Sequence, residues 1–118
     1  MSENVTYPIP SATEMKKIAD ETHGNFSICF PTMLYYTKQN IIKKANLGKY
    51  ETEISFKELL NECLNVHYTK RDSIFSYLTS NSNCETMVDS IKKQLQTKGY
   101  TVTIKDYSMN STIQIKWD

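Results

Sequence analysis

The chain is expected to fold as an α+β domain: a small three-stranded, largely antiparallel sheet packed with four to five helices on one face. Three observations lead there. A lysine-rich helical run, Ile41-Ile42-Lys43-Lys44-Ala45-Asn46-Leu47-Gly48, stops at a glycine and turns into the alternating stretch from Tyr50 to Phe56. A second such run, from Ile91 to Gly99, stops in the same way before Tyr100, Val102 and Ile104 alternate with Thr101 and Thr103. A third alternating run, Ile113, Ile115 and Trp117, ends the chain. Glycine reaches the left-handed conformation that closes a helix, and lysine near that end complements the negative pole of the helix dipole. The chain has only three glycines, so two at equivalent junctions constrain the architecture strongly.

Each element has its own signal. Residues 1–10 read as an extended N-terminal arm, with Pro8-Ile9-Pro10 favouring a polyproline-like path, and residues 11–118 as a single domain. Ser11-Ala12-Thr13-Glu14 is a capping box. Met15, Ile18, Ala19 and Thr22 then mark one face of a helix ending near Gly24. Asn25 to Phe30 reads as a short extended link, and Pro31 suits the first turn of a second helix reaching Leu47. Leu34, Ile41, Ile42 and Ala45 lie on one face of that helix. Tyr50, Thr52, Ile54 and Phe56 alternate with Glu51, Glu53 and Ser55, which predicts a strand with one wet face. Ser55-Phe56-Lys57-Glu58 is a second capping box, opening a helix that buries Leu59, Leu60, Cys63 and Leu64. Ile74, Phe75, Tyr77 and Leu78 fit a short helix. Ser80 to Asn83 reads as a loop, and Ser82-Asn83-Cys84-Glu85 as the cap of a helix with Met87, Val88, Ile91 and Leu95 inward. Asp106 to Ser111 is expected to be a hairpin loop before the last strand.

The predicted order is α-α-β-α-α-α-β-β. So small a sheet has two edges, and an open edge invites a second copy, so a homodimer is an expectation. The repeated helix–Gly–strand junction is not a duplication. The spacing from Ile-Lys-Lys to Gly differs between the two runs, Lys49 interrupts the first junction, and the flanks do not correspond.

Size and composition narrow the function classes. A chain of 118 residues fits one domain that buries about two-thirds of its unfolded surface. Hydrophobic residues make up 39% and charged residues 23%, which is globular rather than disordered. Lys and Arg number 14 against 13 Asp and Glu, so the basic excess expected of a duplex nucleic-acid binder is missing. A local basic patch or a small anionic ligand remains compatible with that balance. The start, Met1 to Pro8, lacks a basic segment followed by an apolar run, so no signal peptide is expected, and no apolar stretch is long enough for a membrane span. Cys29, Cys63 and Cys84 are odd in number and widely spaced, which favours free thiols in a reducing compartment.

Four sets of residues carry candidate chemistry. Cys63 and His67 have the spacing of two metal ligands or of a thiolate and its base, but zinc needs three or four ligands, no further Cys or His lies nearby in sequence, and His23 is the only other imidazole. A small core cysteine beside a helix-end histidine is the competing reading. Glu51 and Glu53 share a strand face, as an acid–base pair or as the wet side of an amphipathic strand. Lys43, Lys44 and Lys49 surround the first junction, Lys92, Lys93 and Lys98 the second, and Lys70-Arg71 adds a third basic spot. Side by side, the junctions would form a basic rim for a phosphate or an acidic partner; dipole complementation and solubility account for the same lysines without a ligand. Among eight tyrosines, Tyr50 and Tyr100 stand at the junctions, where a large ring with one polar group suits a partner surface. No phosphate loop, nucleophile elbow, zinc-finger spacing or Cys-x-x-Cys occurs, and no cofactor is implied.

Over Ile41–Phe56 and Gly99–Trp117 the chain resembles small proteins encoded by large tailed bacteriophages and other large DNA viruses. They read Ile-x-x-Ala-x-x-Gly-Lys, then an alternating strand and a helix, then Gly-Tyr-x-Val and a terminal Ile-x-Ile-x-Trp. Ala45, Gly48, Lys49, Gly99, Tyr100, Val102, Ile113, Ile115 and Trp117 carry the match. The resemblance implies a viral accessory protein in the host cytoplasm or the virion, and transfers no catalytic residue. The leading expectation is therefore a non-enzymatic protein that binds a host protein, a host signalling molecule or a virion component. Two alternatives stay open: a small metal- or thiol-dependent enzyme using Cys63, His67 and a distant carboxylate, and a nucleic-acid binder using the lysine rim.

Overall fold

Ser11 opens the first helix as its capping box predicts. Its Oγ accepts from the Glu14 amide at 3.1 Å, and Glu14 Oε1 accepts from the Ser11 amide at 3.3 Å. A computed structural model describes residues 9–118; most of the expected arm, residues 1–8, lies outside the described residues, and Ile9 and Pro10 are exposed and irregular. The capped helix, α1, runs without a break over Ala12–Asn46.

This corrects two expectations. Gly24 does not end a helix, and Asn25–Phe30 is not a link. Gly24 lacks the positive φ of the two glycines that do terminate helices. Continuing the helix lets Cys29, Met33, Thr37 and Ile41 form one buried stripe, which outweighs the roughly 1 kcal/mol that an interior glycine costs. Pro31 lies inside the helix and leaves the Ser27 carbonyl without its amide partner. Both residues are exposed, where solvent can take the place of the missing bond.

The buried stripe also differs from the expected face. Ile41 is buried, but Leu34 is half-buried, Ile42 is 43% exposed and Ala45 is exposed. The expected stripe is an outer one. The face with Met15, Ile18 and Ala19 is uncovered too, since Ala12 to Glu21 is exposed throughout.

The strands β1 (Glu51–Ser55), β2 (Thr101–Lys105) and β3 (Thr112–Lys116) form one sheet in the order β1-β3-β2, with both pairings antiparallel. β1 and β2 therefore run parallel on either side of β3. Between them come α2 (Phe56–Val66), a 3-10 turn at Tyr68–Lys70, α3 (Arg71–Leu78) and α4 (Asn81–Thr97). α4 starts at the Ser80 cap, earlier than the Ser82 box predicts. Asn83 turns its side chain back instead, donating from Nδ2 to the Tyr77 carbonyl at 2.9 Å. The second capping box holds, with Ser55 Oγ accepting from the Lys57 amide at 3.2 Å.

Thr52, Ile54, Val102, Ile113 and Ile115 are buried, while Glu51, Glu53, Thr101 and Thr103 are exposed. α1 and α2 pack on β1, and α4 packs on β2. The core joins the buried strand residues to Phe56, Leu59, Ile74, Leu78, Met87 and Ile91. Thr52 is buried at this contact, and its hydroxyl donates to Asn40 Oδ1 of α1.

Gly48 has φ +77° and Gly99 has φ +93°, and a Cβ on either would meet nothing within 4 Å. Any penalty of substitution there is conformational alone. Gly99→Ala should lower stability by about 1–2 kcal/mol, whereas Gly24→Ala should raise it by up to about 1 kcal/mol. Urea unfolding of the two variants checks the pair. An equal sign for both would contradict the continuous helix.

Candidate binding site

Both helix–Gly–strand junctions close in the same way. In the first, the Gly48 amide donates to the Ala45 carbonyl at 2.9 Å and the Lys49 amide to the Lys44 carbonyl at 3.1 Å. In the second, the Gly99 amide donates to Gln96 at 3.0 Å and the Tyr100 amide to Leu95 at 3.2 Å. Each pair satisfies carbonyls that the helix end would leave open.

The sheet then brings the junctions together. Glu51 and Thr101 both stand opposite Lys116, so β1 and β2 begin at one end of the sheet, on either side of the end of β3. Trp117 joins them. Its amide donates to the Tyr50 carbonyl at 3.0 Å, and its ring meets the Tyr100 ring edge-to-face at 6.3 Å between centroids.

A cleft of about 560 Å³ opens beside this end, between α1 and the C-terminal end of α4. Leu34, Ile41, Ile42, Leu95 and Tyr100 supply its apolar lining, with Lys38 and Lys98 among its walls. A second hollow of about 410 Å³ shares Ile41, Ile42, Lys98 and Tyr100 and reaches Ala45 and Trp117. None of the residues lining either hollow is acidic.

The lysines expected around the junctions separate. Lys43 and Lys44 occupy the last turn of α1, and Lys49 is exposed just beyond it. The second cluster disperses: Lys93 pairs with Asp89 at 2.9 Å, and Lys92 Nζ reaches the Tyr107 hydroxyl at 3.4 Å. Only Lys98 of that group lines the cleft. Lys38, which sequence reasoning passed over, is its partner there. Its signal was present, since Leu34, Lys38, Ile42 and Ala45 follow helical spacing.

Lys70 and Arg71 are elsewhere. They line a separate open hollow of about 690 Å³ with Gly24, Asn25 and Ile28 of α1. Along α1 that is roughly 30 Å from the junction end. Leu47 and Tyr50, each 64% exposed, flank the first junction in the chain together with the exposed Lys49.

Cys63 and His67 are drawn to different neighbours. Cys63 is fully buried against Cys29 of α1, also fully buried. Interaction with the Cys63 thiol first, then burial, holds Cys29 well above the usual thiol range, while the same interaction lowers Cys63 against the opposing effect of its burial. His67 Nε2 lies 2.8 Å from Thr32 Oγ1. Among the described residues no three His, Cys, Asp or Glu side chains gather as metal ligands. Glu51 faces Lys116 across the strand at 3.8 Å, and Glu53 accepts from Gln114 Nε2 at 2.8 Å. Both carboxylates are exposed and engaged in cross-strand pairs.

Comparison with protein-family models, with curated proteins and with solved structures returned no match. Among the described residues no helix is long and apolar enough to cross a membrane.

Cys84 gives the interior a pH signature. Burial first, then the charges of Glu85 and Asp106, push its thiol from the ordinary 9.0 up to about 11. A raised folded-state value contributes stability that is complete below the unfolded value and lost as pH climbs through the folded one. Between pH 9 and about 11 the protein should lose roughly 1 kcal/mol per pH unit from this thiol. Urea unfolding across that window should show a shallower loss for Cys84→Ala. Identical slopes would remove Cys84 as the cause.

Proposed function

We propose that this chain is a non-enzymatic accessory protein of a large tailed bacteriophage or another large DNA virus, and that it acts by binding. Its contact surface is the junction end of the sheet, where Leu47, Lys49 and Tyr50 stand out beside Lys43 and Lys44. The viral assignment is supported by the resemblance over Ile41–Phe56 and Gly99–Trp117. The binding reading is carried by one observation: both junctions converge on Trp117 and leave apolar and lysine side chains exposed around it. Surface patches that mix exposed tyrosine with other apolar groups are characteristic of contact sites. The helices are proposed to form a layer on one face of the sheet, which the alternating burial on the strands supports. The other face, with Glu51 and Glu53, is left to water.

The test is capture from lysate of infected cells on immobilised protein. The wild type should retain a partner that the doubly substituted Lys49→Glu, Tyr50→Ala protein loses, with circular dichroism showing both folded. The same proteins retained by both, or none by either, would sink the proposal.

A further inference from the structure

We infer that the cleft between α1 and α4 binds a small amphiphilic monoanion: an apolar alkyl or aryl body carrying one carboxylate. The inference rests on reading the junction end as a binding surface, and assigns its concave part a ligand separate from the protein contact at Tyr50.

The chemistry follows from the lining. Ile41, Ile42, Leu95 and Tyr100 present an apolar floor, and about 560 Å³ falls within the span of small-molecule sites. Lys38 comes from α1 and Lys98 from the cap of α4, so two cations come from different elements to the same cleft. Among the described residues neither is paired with a carboxylate, and no acidic residue lines the cleft. A bare apolar ligand would leave the lysines unused, and a cationic one would be repelled.

The same features argue against a phosphate-rich ligand. The helix ends here are C-terminal, and the amides just beyond them are committed to the two caps, so no row of free helix N-terminal amides is present to cradle a phosphate. No arginine lines the cleft to grip phosphate with two parallel bonds. Two flexible ammonium groups over an apolar floor suit a single negative head.

Trp117, the chain's only tryptophan, lines the adjoining hollow and reports occupancy through its emission. Decanoate, decanol and decyltrimethylammonium present one chain with three head groups. Decanoate should bind most tightly and the cation least. Lys38→Gln and Lys98→Gln should each weaken decanoate about fivefold at low salt, the upper range for an exposed ion pair. Decanol should not respond to either change. Ile42→Glu should abolish binding of both, and all three positions are exposed enough to substitute without unfolding the protein. Decanoate binding no tighter than decanol, or indifferent to both lysine changes, would overturn the inference. So would failure of all three ligands alongside a sedimenting dimer that Ile42→Glu dissociates, which would assign the cleft to a second copy. The Lys49→Glu, Tyr50→Ala protein should bind decanoate normally, so loss of the protein partner and loss of the small ligand are read independently.

Discussion

Gly48 and Gly99 hold backbone angles that side chains disfavour, and the geometry of the molecule's junction end descends from that. Each glycine reverses the chain within two residues of a helix end, so the strand that follows starts beside the helix it has just left. Because β1 and β2 are parallel, both reversals fall at the same end of the sheet. β3 threads between them, and its terminal Trp117 becomes the shared neighbour of Tyr50 and Tyr100. The cleft is the space left where α1 and α4 end beside that aromatic contact. In the second junction the residue after glycine is Tyr100, whose amide closes on Leu95 and whose side chain lines the cleft with Leu95. The helix stop and a wall of the cleft are one piece of structure.

α1 serves two surfaces with two stripes. Cys29, Met33, Thr37 and Ile41 face the core at strict four-residue spacing. That spacing drifts around a helix of 3.6 residues per turn, so the buried face rotates along the axis. Leu34, Ile42 and Ala45 fall outside it and face the cleft or water. The exposed first turns depend on local terms instead: the Ser11 box, and the Lys16–Asp20 pair at 3.6 Å, worth a few tenths of a kcal/mol.

The strands and two capping boxes were legible because their signals are local. A period of two reports a half-buried strand wherever it sits, and Ser-x-x-Glu needs only its own turn. The unbroken α1 was not, because Gly24 and Pro31 are local breakers overridden by packing of distant residues on Cys29 and Met33. The order β1-β3-β2 was hidden for a related reason: nothing within a five-residue strand states which neighbour it will take. The site was legible in part. Gly48, Gly99, Tyr50, Tyr100 and the first lysine group were visible as junction residues, but their convergence depends on the parallel relation of β1 and β2. Lys38 was overlooked because it sits inside a helix, away from any motif. Cys63 and His67 looked like a pair only along the chain. Thr32 and Cys29, more than thirty residues away, supply the actual neighbours.

The lysines at this end divide by what can account for them. Lys43 and Lys44 stand in the final turn of α1, where a helix dipole alone favours positive charge. Lys38 stands earlier in α1, beyond the last turn within which that field acts, so the dipole gives no reason for it. Packing gives one, since a lysine stem can lie across apolar neighbours while its ammonium stays in water. Lys38 lines the cleft whether or not a ligand is present. With Lys98 on the opposing element and no carboxylate lining the hollow, the positive charge there is left uncompensated by the cleft itself. An apolar hollow with that residual charge is chemically selective, and the selection it imposes is for an anion with an apolar body.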